Sequence, residues 1–164
     1  MLPATGSAQQ TPAWPRHPTT GRVEFTGVLP WPTPRPTLPQ QQALVKRWYL
    51  AKLTAGNSGR LGKPDTLAAT FAGQPTIAYL GSLTYTPDHT GVVDSVYDLL
   101  IWSVWYTVRL TPTAAGLTYH LSEFEFAETV YDAASSDSLE KMLPQYSGQL
   151  AVFHRRLRKA LAGW

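Results

Sequence analysis

The stretch from Val96 to Thr111 constrains the fold more than any other part of the chain. Leu100, Trp102, Val104, Tyr106 and Val108 recur at every second position. That period belongs to a strand, and the run predicts one well beyond the usual five or six residues. The intervening positions, Leu99, Ile101, Ser103, Trp105, Thr107 and Arg109, are only half polar. A strand with apolar residues on both sides needs cover on both. One face belongs in a core. The other must meet the chain's own leader, a ligand or a partner.

The neighbouring segments supply the rest of a sheet. Thr66–Ala72 and Thr76–Thr86 read as strands before it, and Leu117–Ala127 reads as a strand after it. Turn-forming groups separate them at Gly73-Gln74-Pro75, Pro87–Gly91 and Pro112–Gly116. Short links between consecutive strands favour an antiparallel meander. In the last strand the apolar phase runs through Leu117, Tyr119 and Leu121, then switches to Phe124 and Phe126. A one-residue switch of this kind predicts a β-bulge. A further strand around Arg22–Val28 precedes them, with Val23 and Phe25 pointing one way.

Two helices complete the pattern. Thr37 or Leu38 to Ala55 carries Leu44, Val45, Trp48, Tyr49 and Leu53 at helical spacing, with Pro39 in the first turn and Gly56-Asn57 as a stop. The second starts at Asp137 or Ser138 and runs to the C-terminus. Leu139, Leu143, Tyr146, Leu150, Phe153, Leu157 and Leu161 form its seam, and Pro144 and Gly148 predict an irregular first part. The order is β-α-β-β-β-β-α. The predicted class is α+β, a curved antiparallel sheet with the helices on one face. Trp102, Val104 and Tyr106 are expected to meet Leu150, Phe153 and Leu157.

Nine of the fourteen prolines lie before residue 40. The first group belongs to a leader, residues 1–20, and residues 21–164 form the single domain. Pro30–Pro39 is a stiff connection after the first strand. Gly6-Ser7-Ala8-Gln9-Gln10 has the small residues of a signal-peptide cleavage site, without the basic and apolar regions that precede one. The expected location is outside the cytoplasm: periplasmic, secreted or surface. The absence of cysteine excludes disulfides and thiolate chemistry. With 43% hydrophobic and 15% charged residues, the chain is globular in composition.

Several of these segments resemble an uncharacterised, mostly exported bacterial family, a domain of unknown function with a TBP-like fold. The matching pieces are Val23-Glu24-Phe25, Trp48-Tyr49-Leu50, Asp65-Thr66-Leu67-Ala68, and Trp105–Arg109 followed by Gly116–Tyr119. They fall within residues 21–130 and are diffuse hydrophobic patterns. The chain departs from the family in its Pro30–Pro39 loop, and it has His120 where strand four often carries a basic residue. The resemblance implies a single β-α-β4-α unit and no established activity.

No catalytic constellation is readable. His17, His89, His120 and His154 do not pair at metal-ligand spacing, so neither metal nor cofactor is expected. His154 reads as a solvated neighbour of the basic residues beside it. Glu123 and Glu125 project from one strand face instead of flanking a pocket, and read as a solvated edge. Arg155, Arg156, Arg158 and Lys159 end the last helix, where cations complement the helix dipole. They are also the residues of an alternative anion, nucleic-acid or membrane-surface site. The leading expectation is a non-enzymatic domain binding a protein, peptide or small ligand over the second sheet face, lined by Ile101, Ser103, Trp105 and Thr107.

Overall fold

The computed structural model describes residues 13–53, 77–85, 100–130 and 133–164. Strand β1 is Phe25–Pro30, helix α1 Leu38–Trp48, β2 Ile77–Tyr85, β3 Leu100–Pro112, β4 Gly116–Val130 and β5 Ala133–Ser138. Two helices follow, α2 (Leu139–Met142) and α3 (Ser147–Leu161). All strand pairs are antiparallel, in the order β1-β4-β3-β2, and β5 also pairs with β4. Since β3 takes one edge of β4, β1 and β5 share the other. β1 pairs from Phe25↔Leu121 to Pro30↔Gly116, and β5 from Glu125↔Ser138 to Val130↔Ala133.

The α+β class and the antiparallel sheet agree with the sequence pattern. The identity of its strands differs from it in one place. The expected strand Thr66–Ala72 lies outside the described residues. The strand that the sequence reading missed is β5, Ala-Ala-Ser-Ser-Asp-Ser. Small polar residues have little strand preference, and this segment is ordered by pairing with β4.

The expected bulge is present. Trp105 pairs with Glu125 and Thr107 with Ser122, so Glu123 and Phe124 together face Tyr106. Glu123 has φ of 56°, the left-handed conformation that lets a strand take up an extra residue. Leu117 and Leu121 are buried before the bulge, and Phe124 and Phe126 after it. The extra residue thus keeps one face of β4 apolar along its whole length.

Thr37 starts α1, its N–H donating to Gln40 Oε1 at 2.8 Å. Val45 and Trp48 are buried on its inner side. A wider, π-type turn, Tyr49–Leu53, continues it. The C-terminal seam is two helices, because the chain breaks around Pro144 between Met142 and Ser147. Leu139, Leu143, Leu150, Phe153, Leu157 and Leu161 are buried as the spacing requires.

The helices lie on the sheet face formed by Val104, Tyr106, Val108 and Leu110, all fully buried. The Phe153 ring sits 6.2 Å from Tyr106 and 6.4 Å from Phe124. The Tyr106 hydroxyl donates to the Leu53 carbonyl at 2.9 Å, and burial raises its phenol pKa, so it stays a neutral donor. Trp48 Nε1 donates to the Ala160 carbonyl at 3.0 Å, joining α1 to α3.

Both ends of the described chain also pack on this helical side. Trp31 stacks on Trp164 at 5.4 Å, and Trp164 Nε1 donates to the Pro30 carbonyl at 2.6 Å. Residues before β1 fold back as a hairpin, with Arg16 bridged to Val23 and the Glu24 N–H donating to the Pro15 carbonyl at 3.2 Å. The expected boundary at residue 20 falls inside this hairpin, and packing starts by Trp14.

Candidate functional site

The second sheet face is set by the cross-strand register. Trp105 neighbours Glu125, Thr107 neighbours Ser122, and Arg109 neighbours His120. Direct partners project to one side, so these six share the face opposite the helices. Trp105 and Thr107 are half-buried, while Arg109, Glu123 and Glu125 are exposed. The side chains of Ile101 and Ser103 lie outside the described ones.

The polar groups of this face are already engaged in part. Thr107 Oγ1 donates to Glu123 Oε2 at 2.7 Å, so the hydroxyl expected to meet a ligand holds the bulge carboxylate. His120 Nε2 lies 3.1 Å from Glu24 Oε2. That pair joins β4 to the segment leading into β1. Glu24 was legible as a polar neighbour of Val23 and Phe25, but its partner was not. Ser122 is buried, and its Oγ has no hydrogen-bond partner among the described residues. The face therefore has a half-buried indole at its centre, with carboxylates and an exposed guanidinium around it.

The aromatic rings of the two Pro-rich segments, Trp14 and Trp31, do not cover that indole. Trp14 packs on Phe25, Phe153 and His154, and Trp31 on Trp164, all on the helical side. Of the intramolecular covers that the sequence allowed, both tryptophans are therefore accounted for elsewhere.

A concavity opens where β1 leaves β4 at Leu121 and β5 joins it at Glu125. It encloses about 420 Å³ and is lined by Arg22, Glu123, Glu125, Asp137 and Glu140 over Phe124. Glu140 and Asp137 have structural work here, as Glu123 has at Thr107. Glu140 Oε1 accepts the Val23 N–H at 2.6 Å. Asp137 accepts the Ser138 N–H at 2.7 Å and pairs with Lys141 at 3.1 Å, and these contacts lower its pKa. Among the described residues no group of three or more His, Asp or Glu is arranged to hold a metal ion.

The basic residues of α3 are not equivalent. Arg155, Arg156, Arg158 and Lys159 are all exposed, but one of them is also bonded back to the fold. Arg158 is held by its Nε donating to His154 Nε2 at 2.8 Å and its Nη2 to the Ala13 carbonyl at 3.4 Å. His154 is fully buried, which corrects the expectation of a solvated ring. Its position one residue after Phe153 puts it on the edge of the apolar seam, where Trp14 covers it.

No family model and no curated protein matches the sequence. The structure is similar to the crystal structure of a DUF4468 family protein from Bacteroides ovatus ATCC 8483. The TM-score is 0.52 at 12% identity, covering 91% of this chain and 88% of that one. The likeness is one of fold, to a domain of unknown function. Among the described residues no helix is long and apolar enough to cross a membrane.

Proposed function

We propose that this chain is a non-enzymatic binding domain that takes a protein or peptide partner on its second sheet face, centred on Trp105. The observation that carries this reading is the one-sided packing. Helices α1 and α3, Trp14 and Trp31 all lie against the other face, while a half-buried indole remains on this one. Tryptophan is the side chain that most often anchors an interface. A sheet face offers a platform instead of an enclosure, which suits a chain or a protein surface better than a buried small molecule. Thr107, engaged by Glu123, acts here as a positioning residue beside the anchor.

The domain is further proposed to be exported and to represent a single TBP-like unit whose last helix is split. Supporting the fold reading are the order of elements and the likeness to a DUF4468 protein. The cysteine-free composition and the small residues at 6–8 are compatible with export.

Trp105→Ala separates an anchor from a core residue. A half-buried indole on the face away from the helices contributes little to folding, so the expected loss of stability is about 1 kcal/mol or less. Partner affinity should fall at least tenfold, the behaviour of an interface hot spot. Denaturant melts of both proteins and titration against a partner isolated on the wild-type domain check both numbers. A loss of roughly 3 kcal/mol or more would make Trp105 a core residue and end the proposal.

A further inference from the structure

His154 and Trp14 are packed face to face, with ring centroids 4.2 Å apart and planes 20° from parallel. The imidazole is also edge-on to Phe25 at 5.6 Å. Arg158 Nε–H donates to His154 Nε2, which makes that nitrogen the acceptor and the ring neutral. The proton then sits on Nδ1, which has no partner among the described residues. The same guanidinium reaches the Ala13 carbonyl. One arginine therefore connects the histidine to the segment that covers it.

We propose that residues 13–14 form a displaceable strap whose docking requires a neutral His154, so that acidification releases Trp14 from the patch formed by Phe25, Phe153 and His154. Protonation removes the lone pair that accepts from Arg158 and sets two cations at contact distance. Arg158 must then turn away, and its bond to Ala13 goes with it. Beyond the strap, the Arg16–Val23 bridge and the bond from the His17 N–H to the Arg22 carbonyl do not involve His154, so the hairpin root stays.

The charges around the ring are few. On α3 it meets Arg158. On β4, Tyr119 lies near Arg158, with its phenol pKa raised by burial and therefore neutral. The strap and β1 present the rings of Trp14 and Phe25. An indole face attracts an imidazolium, but burial first and Arg158 second oppose the charge and hold His154 down to about 4. Once released, the ring regains its ordinary value of about 6.5. Between these values the open form binds a proton that the docked form does not. Docking is therefore at full strength above about 6.5, weakens by up to about tenfold per pH unit below it, and levels off below the docked value.

The test uses the full chain labelled with 5-fluorotryptophan, with the Trp14 resonance identified by its loss in Trp14→Phe. From pH 7 to pH 4 the Trp14 signal should move toward its solvent-exposed position while those of Trp31 and Trp48 stay. In His154→Gln, which can still accept from Arg158, the movement should vanish. A second reading on the wild type, the ring nitrogen shifts of His154, should change over the same pH range as Trp14, and it serves if the variant does not fold. The proposal is overturned if all the tryptophan signals move together, if Trp14 stays fixed, if its movement survives in His154→Gln, or if His154 titrates at its ordinary value with Trp14 unmoved.

Discussion

Phe153→Ala should cost about 3–5 kcal/mol, the range for removing a fully enclosed aromatic ring. Phe153 is 1% exposed and is where three parts of the molecule meet. Its ring is within 6.1 Å of Trp14, 6.2 Å of Tyr106 and 6.4 Å of Phe124. Those neighbours come from the N-terminal segment and from two central strands, none of which can move into the space without giving up other contacts. The melting temperature should fall by roughly 10–15 °C for a domain of this size. A calorimetric scan of the two proteins reads it. A fall under about 3 °C would mean that α3 does not sit on Tyr106 and Phe124.

Gly116→Ala should be strongly destabilising although it adds a single methyl group, and its effect is steric. A Cβ there would overlap the Leu29 carbonyl oxygen and lie 2.8 Å from Leu29 C and 2.9 Å from Pro30 Cα. All three are backbone atoms of β1, so the strand itself must shift off β4. Overpacking of this kind costs about 1–3 kcal/mol or more. Gly27 provides the control, because a Cβ there meets the Tyr119 side chain, which can rotate away. Chemical denaturation of Gly116→Ala and Gly27→Ala should show the larger loss for the first. Equal losses would contradict the β1–β4 register at Pro30↔Gly116.

Much of this packing was legible in the sequence because it rests on periodicity. The alternation through Val104, Tyr106 and Val108 identified the buried side of β3, and the phase switch between Leu121 and Phe124 located the bulge. The seam from Leu139 to Leu161 named the helical residues that face the core. Periodicity fails where order comes from a neighbour. β5 has almost no apolar side chains and exists by hydrogen bonding to β4. The break at Pro144 was signalled by the proline, but two separate helices were not.

The candidate site was less legible, for the same reason. Which residues share the second face followed from alternation, and Trp105, Thr107 and Arg109 lie there. How its polar groups pair did not, because Thr107–Glu123 and Glu24–His120 join residues far apart in the chain. His154 shows the converse. A histidine beside a run of cations looks solvated, and only the return of Trp14 over α3 buries it.

Binding on the second sheet face depends on the Trp105 indole being accessible there. Iodide quenching of intrinsic tryptophan fluorescence, wild type against Trp105→Phe, tests it most directly. Trp31 and Trp48 are buried, at 8% and 2% exposure, and give little to a polar quencher. The wild type should show a quenchable component that is clearly reduced in Trp105→Phe, with the two proteins equally stable. Identical quenching curves would mean that Trp105 is covered, and the second face would then be structural instead of a binding surface.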